Sequence, residues 1–380
     1  MNILVIGNGF DLAHGLPTTY QEFLDFSYIF KIYNEEPNKK QFQFAPKYEK
    51  FKTYILGLYE KSEENEEIKK LCEDLIGLIK DNKWIEYFRK VNDKETWIDF
   101  ESEISKVIQA LDRARKARNQ QCKINPEIDS FTMEKYDWSI LKEIIIKSQK
   151  IKIEGIESIK ERLLYDLNRL TRCLELYLQH YVGNITPKVK LPDIEGLTVN
   201  CVLSFNYTDT YKKIYHTDDS KDIEYDYIHG AVNPESSVDT CNLILGIDEY
   251  LSGEDRNQDN EFIQFKKFYQ RIFKRTGCKY VEWIKNINDF YQRTIKLISA
   301  SKSNVYILGH SLDITDGDIL SSLINAPNTK TTIFYHNQAA LGKQISNLVK
   351  ILGENELISR VHGKEASIVF QKQQEPVTLN

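Results

Sequence analysis

The sequence has little of several features that would assign it to a broad class. No apolar run approaches the roughly 18 residues that span a bilayer. No small-residue cleavage site follows residues 2–6, so we expect neither a membrane segment nor a signal peptide and predict a cytoplasmic protein. Six scattered cysteines form no C-x-x-C pair, which argues against a zinc ribbon. The net charge of -5 lacks the positive balance of nucleic-acid-binding proteins.

What is present is typical of a globular protein with one large or two smaller domains. The chain has 380 residues, 41% of them hydrophobic and 28% charged. The aliphatic run Asn2–Ile6 has no polar alternation, as in a parallel strand buried on both faces. Thr19 and Glu22 then form a capping box, which predicts a helix.

Further strands are expected only late in the chain. Apolar segments predict them at 199–205, 225–228, 243–247, 305–308, 331–335 and 367–370, with helices over 261–300 and 338–352. Residues 23–182 show no strand pattern. We therefore predict an α/β fold, a Rossmann-like parallel sheet interrupted by a large helical insertion. Residues 1–22 and 196–380 would form the discontinuous nucleotide-binding domain, and 23–195 the insertion.

One helical pattern inside the insertion is especially regular. Apolar residues recur every three or four positions from Ile156 to Tyr181, and Gly183 follows where a helix cap is expected. Such a stripe is typical of a buried core or of a dimer interface. A homo-oligomer is therefore one prediction.

Polar or glycine-rich clusters follow four of the predicted strands. They are Gly7-Asn8-Gly9, Asn206, His229-Gly230 and Gly309-His310-Ser311. Ligands of open parallel sheets bind beyond the carboxyl ends of the strands, so these clusters should meet at one crevice. Each cluster alone has a structural alternative. The glycine loop lacks a third glycine because Leu12 stands there and can be a tight turn; Asn206 can cap a helix; a histidine such as His229 can be structural.

The opening residues 6–20, Ile-Gly-Asn-Gly-Phe-Asp-Leu-Ala-His-Gly-Leu-Pro-Thr-Thr-Tyr, resemble the signature of the AbiH family of bacterial phage abortive-infection proteins. The segments 97–101, 204–208, 227–230 and 308–312 are similar to later blocks of that family. The resemblance spans nearly the whole chain. It implies a role in defence against phage, with a phage or host trigger as a partner, but it names no reaction.

A more distant resemblance, to sirtuins, implies a reaction. Sirtuins carry G-A-G-x-S, G-I-P, a strand-end Asn, H-G and G-T-S-L in that order, and the similar residues here fall in the same order. These are Gly7, Asn8, Gly9, Phe10 and Asp11, then Gly15 and Pro17, Asn206, His229 and Gly230, and Gly309, His310 and Ser311, with Asp313 just beyond.

By this resemblance the two glycine loops hold the phosphates of NAD. Asn206 orders the nicotinamide ribose or the attacking water, and His229 is the general base. The implied activity is hydrolysis of NAD at the nicotinamide–ribose bond, with NAD as substrate and no metal.

This sequence departs from the sirtuin pattern at several positions. Asp11 replaces the sirtuin Ser, Tyr20 stands where an Arg follows G-I-P, and Thr208 replaces an Asp. The missing zinc ribbon argues against protein deacetylation.

Two other functions remain open from the sequence. Asp11, Asp313, Asp316 and Asp318 would hold magnesium in a metal-dependent nuclease-type toxin. A sensor would bind a nucleotide without turnover. The basic segment 113–118 is interpreted as a solvated helix face, so we expect no nucleic-acid partner.

Overall fold

A computed structural model describes residues 1–92, 98–121, 127–129, 135–144, 150–152, 154–216, 222–294, 302–364 and 366–379. The chain forms two compact units. The sheet unit comprises residues 1–18, 182–232 and 274–380, and the helical unit comprises 19–181 and 233–273. Residues 233–273, predicted from the sequence as part of the nucleotide-binding domain, belong to the helical unit.

The strands and helices follow each other along the chain as a first strand, a long helical stretch and then alternating elements. The strands are β1 (Asn2–Ile6), β2 (Glu127–Asp129), β3 (Lys150–Lys152), β4 (Val189–Lys190), β5 (Cys201–Ser204), β6 (Glu224–Tyr227), β7 (Ser303–Leu308), β8 (Thr329–Tyr335), β9 (Ile368–Lys372) and β10 (Val377–Thr378). The helices are α1 (Asn8–Ala13), α2 (Tyr20–Glu35), α3 (Glu49–Ser62), α4 (Glu66–Ile79), α5 (Lys83–Asn92), α6 (Phe100–Gln121), α7 (Lys135–Ile144), α8 (Glu154–Leu176), α9 (Pro192–Glu195), α10 (Thr210–Tyr215), α11 (Asp255–Gln258), α12 (Lys267–Lys274), α13 (Lys279–Thr294), α14 (Gly317–Ile324), α15 (Gln338–Leu352) and α16 (Glu354–His362).

The sheet unit contains a parallel sheet of six strands in the order β6-β5-β1-β7-β8-β9. Counted along the chain, these six strands lie in the order 3-2-1-4-5-6. The direction of winding therefore reverses between β1 and β7. In open parallel sheets a crevice forms at such a reversal, beyond the carboxyl ends of the two strands. This topology confirms the predicted α/β class with a parallel sheet.

Residues 3–6 of the central strand β1 are all apolar. Ile3 and Val5 belong to one hydrophobic cluster, whereas Leu4 and Ile6 belong to another. Because side chains alternate along a strand, both faces of β1 are buried over these four positions, and each of them must be apolar. The interpretation of this run as a buried strand is confirmed.

The predicted strand at 243–247 is wrong. These residues are buried, but they lie in the helical unit and form only an isolated bridge between Ile247 and Lys266. A Cβ on Gly246 would lie 2.6 Å from the carbonyl oxygen of Phe265, so this chain segment packs directly against backbone. An apolar run of this length indicates burial, not strand pairing.

The predicted helix over 261–300 is divided in the structure. It is interrupted between α12 and α13 at Gly277, whose φ is +54°. A Cβ there would lie 2.5 Å from the Cα of Ile228, so only glycine fits.

The helical unit begins with the predicted capping box. The Thr19 side chain accepts a hydrogen bond from the Glu22 backbone N–H at 3.2 Å and starts α2. The apolar stripe falls on α8 and a following π-helical turn, Tyr177–Tyr181, and Leu163, Leu167 and Leu170 on it are at most 1% exposed. The stripe therefore belongs to the core of this unit. It offers no exposed surface for the interface of the predicted homo-oligomer.

The predicted basic face on α6 is paired with acidic groups. Arg113 pairs with Asp137, and Arg115 and Lys116 pair with Asp112 and Asp259. Among the described residues, no helix is both long and apolar enough to cross a membrane.

Candidate functional site

The two glycine loops pack against each other at the carboxyl ends of β1 and β7. The Gly9 N–H donates to the Gly309 carbonyl at 2.8 Å. Gly309 has a φ of +71°, and a Cβ there would lie 2.1 Å from the Phe10 nitrogen. A Cβ on Gly7 or Gly9 would also lie within 2.9 Å of Gly309 backbone. These glycines are therefore needed for the contact between two loops at the switch point.

A buried polar cluster, which we call the Asp11 cluster, lies beside this contact. It consists of Asp11, Asn206, Thr208 and Thr210. The Thr208 hydroxyl donates to Asp11 Oδ2 at 2.6 Å, and the Thr210 hydroxyl donates to Thr208 at 3.1 Å. Burial raises the pKa of Asp11 to about 6, against the lowering effect of the threonines and Asn206.

Polar atoms in the Asp11 cluster are left without partners. Asn206 is 4% exposed, and neither its Oδ1 nor its Nδ2 has a hydrogen-bond partner among the described residues. The same holds for Asp11 Oδ1. Each such group costs about 1–3 kcal/mol. The Ser204 hydroxyl accepts the Asn206 backbone N–H at 3.1 Å, which holds this residue at the end of β5.

A second group, the histidine cluster, lies at the ends of β6 and β7. Asp316 Oδ1 lies 3.2 Å from His229 Nε2, and Asp316 Oδ2 lies 3.5 Å from His310 Nε2. The Phe205 ring packs edge-on against both imidazoles, with ring centroids 5.5 and 4.4 Å apart. His310 Nδ1 accepts the Leu312 N–H, which fixes that ring. All three polar side chains are buried.

Residues 205–207 contribute side chains to both clusters. The Asn206 side chain lies near Asp11, whereas Phe205 and Tyr207 on either side of it lie near the His229 ring. Residues 205–207 therefore contact the Asp11 cluster through Asn206 and the histidine cluster through Phe205 and Tyr207.

The other predicted binding residues have local structural roles. Phe10 is fully buried between Tyr211 and Tyr215, so its side chain belongs to the core. The glycines Gly15 and Gly230 occupy turns with φ of +76° and +79°. The remaining members are Asn8, which accepts the Thr18 hydroxyl, Pro17 in the turn after α1, Ser311, whose carbonyl accepts from Asn347, and Asp313, which caps the turn Ile314–Asp316.

The aspartates of the nuclease alternative are engaged separately. Asp11 accepts from Thr208, Asp313 caps a turn, and Asp316 lies between two histidines. Within the described parts of the chain, no three His, Cys, Asp or Glu side chains are placed to hold a metal ion.

The sequence pattern does not predict the roles of Asp316 and Thr210 in these clusters. It predicts Asp316 only as a metal ligand of the nuclease alternative, and it gives no functional prediction for Thr210. Their roles depend on the packing of α14 and α10 against other strand ends. Glu101, in the motif 97–101, pairs with Lys267 at 2.6 Å within the helical unit; Trp97 of that motif lies outside the described residues.

Replacing Asp11 by Asn should stabilise the protein in a pH-dependent way. The pKa of Asp11 rises from 3.8 to about 6 on folding, so the folded state loses stability as pH increases from about 4 to about 6. Asp11→Asn keeps an acceptor for Thr208 without a charge. Urea unfolding should show it about 3 kcal/mol more stable than wild type at pH 8 and equally stable near pH 4.

Asp289→Asn is the matched control for this experiment because Asp289 is exposed on α13 of the same unit. It should change the pH dependence of unfolding little. A stability gain in Asp11→Asn that is the same at pH 4 and pH 8 would show that burial does not oppose ionisation of Asp11.

The comparisons with known proteins agree with the opening motif and the later blocks. The sequence model of the family described as bacteriophage abortive infection AbiH matches residues 3–336. No curated protein matches the chain. The family match includes β1, both clusters and the end of β8. The protein is therefore a member of the AbiH family, and this membership indicates a function in bacteriophage abortive infection.

Proposed function

We propose that this AbiH protein acts in abortive infection by hydrolysing NAD at the bond between nicotinamide and ribose. The observation that carries the proposal is the buried Asn206 amide beside Asp11 at the carboxyl edge of the sheet, whose Oδ1 has no hydrogen-bond partner among the described residues. A ligand with hydroxyl groups, such as a ribose, offers both donors and acceptors to such an amide. The strand order 3-2-1-4-5-6 supports the binding of a dinucleotide, because doubly wound sheets that bind dinucleotides have this order.

The reaction needs a base but little other chemistry. The N-glycosidic bond breaks with its electron pair going to nicotinamide, which leaves as a neutral molecule. Water attacks the resulting oxocarbenium carbon and passes a proton to His229. Asp316 lies at His229 Nε2 and orients the imidazole, so Nδ1 is the nitrogen that takes the proton.

The Asp11 cluster would bind the ribose. Asn206 supplies an amide donor and acceptor, and Asp11 Oδ1 accepts from a hydroxyl. A negative charge here disfavours an anionic group. The phosphates would therefore lie towards the contact between the two glycine loops, at the switch point of the sheet.

The first experiment measures nicotinamide release from NAD by the purified protein, with and without EDTA. Release that EDTA does not change, and that is lost in Asn206→Ala, is the expected result. Asn200→Ala is the matched control because Asn200, at the other end of β5, bonds only backbone and Asn2 groups there. Release abolished by EDTA would contradict the metal-free reaction proposed here, and NAD binding without release in any condition would favour the sensor. Neither binding nor release would favour the nuclease-type alternative.

A further inference from the structure

A pocket of about 380 Å³ lies in the sheet unit, apart from the Asn206 and His229 side chains. It is bordered by the ends of β7 and β8 and the first turns of α15. Its lining residues include Gly9, Gly309, Phe334, Ala340, Lys343 and Gln344. Pockets for small ligands have volumes of roughly 300–1,000 Å³. This pocket is therefore large enough for a nucleoside, and it adjoins the contact between the two glycine loops.

Gln344 is the most informative residue of the pocket. It is 5% exposed, and its Nε2 donates to the carbonyls of His310 and Phe334, both at 3.2 Å. Two acceptors around one atom identify that atom as the nitrogen, so the orientation of the amide is fixed. Gln344 Oε1 is then a buried acceptor, and it has no partner among the described residues. A ligand that donates an N–H to it would remove this cost.

The rest of the lining suggests what carries that N–H. Phe334, Ala339 and Ala340 provide an apolar surface for a flat ring, while the exposed His336 and Lys343 stand at the edge of the pocket. A flat ring with an amino group and a nearby phosphate matches this distribution. Adenine has such a group, whereas hypoxanthine presents a carbonyl oxygen at the same position, which would repel Gln344 Oε1.

We infer that this pocket binds the adenine nucleotide half of the substrate and that Gln344 selects adenine by accepting a hydrogen bond from its amino group. The connection to a substrate rests on the proposed function, but the pocket itself is defined by Gln344 and its neighbours. The nicotinamide half would lie at the Asp11 and histidine clusters. Gly9 and Gly309 stand between the two halves, where the phosphates must pass.

The test uses AMP, which has no bond that the proposed reaction could cleave. Calorimetric titration of the full chain should show AMP binding about 10-fold more tightly than IMP, in which a carbonyl replaces the amino group. Ala340→Leu should fill the pocket and abolish AMP binding. Ser346→Leu adds the same bulk at an exposed position of α15 that does not line the pocket, and it should bind AMP like wild type.

The outcomes separate this inference from the proposed function. Equal affinity for AMP and IMP, no binding of AMP, or undiminished AMP binding by a folded Ala340→Leu protein would each overturn the inference, even if NAD is cleaved. AMP selectivity that Ala340→Leu abolishes supports the inference. If that selectivity is found but NAD releases no nicotinamide, the pocket is retained and the proposed reaction fails.

Discussion

His229→Ala is expected to slow nicotinamide release from NAD by a factor of about 10² to 10⁴, the usual contribution of a general base. The structural reason is the pairing of His229 Nε2 with Asp316 at 3.2 Å, which holds the imidazole in one orientation. Initial rates at saturating NAD measure this effect. An unchanged rate in a folded His229→Ala protein would remove His229 from the mechanism.

Two further variants separate chemistry from folding. The Gln side chain of His229→Gln can still donate to Asp316, but an amide cannot act as a base. This variant should therefore release nicotinamide as slowly as His229→Ala, while its free energy of unfolding should equal that of wild type. His216→Ala is the matched control because it removes an imidazole of the same unit that bonds Tyr225 at 3.0 Å and belongs to neither cluster. It should leave the rate unchanged.

Asp316→Asn gives a readout that a purely structural residue would not. The amide can still accept from His229 Nε2 and orient the imidazole, but it carries no negative charge beside the imidazolium that forms when water passes its proton. The rate should therefore fall, by less than in His229→Ala, and the double variant should be no slower than His229→Ala alone. A further loss of rate in the double variant would mean that Asp316 does not act through His229.

Gly309→Ala should destabilise the sheet unit by about 3 kcal/mol or more. Its backbone has a φ of +71°, which costs an L-residue about 1–2 kcal/mol. The added Cβ would also lie 2.1 Å from the Phe10 nitrogen and 2.6 Å from the Gly9 carbonyl carbon, so the two loops must separate. Overpacking of this kind typically adds about 1–3 kcal/mol. Urea unfolding followed by fluorescence would measure the change.

Two other glycines divide this effect into its parts. Gly15 has a similar φ of +76°, but a Cβ there would meet nothing within 4 Å. Gly15→Ala should therefore lower the free energy of unfolding only by the cost of the positive φ, about 1–2 kcal/mol. Gly342 is in the interior of α15 with open space around it, and Gly342→Ala should stabilise by about 0.5–1 kcal/mol. Equal effects at Gly309 and Gly15 would contradict a tight contact between the loops.

The sequence predicted strands correctly where a buried apolar run also pairs with a neighbouring strand. The strands β1, β7 and β8 are present within a few residues of their apolar runs, because both faces of a parallel sheet must be apolar. The run 243–247 is equally apolar, but its environment is the helical unit. Local sequence carries no information on which neighbour a buried segment meets.

The predicted convergence of strand-end residues describes the site only in part. Asp11, Asn206, His229 and His310 all lie at the carboxyl edge of the sheet, as their positions after strands indicated. The sequence did not indicate that they form two clusters, both in contact with residues 205–207. It also gave no sign of Gln344, which is one polar residue in an amphipathic helix.

The sequence by itself determined the AbiH family, the parallel sheet and the loops that must contain glycine, since each depends on residues close together in the chain. Only the tertiary structure decided which polar groups are buried without partners and which carboxylate orients His229. Those properties depend on distances between segments such as α1 and α10, or β6 and α14, which are far apart in sequence. The free energy of a buried polar group is set by these neighbours rather than by its own residue type.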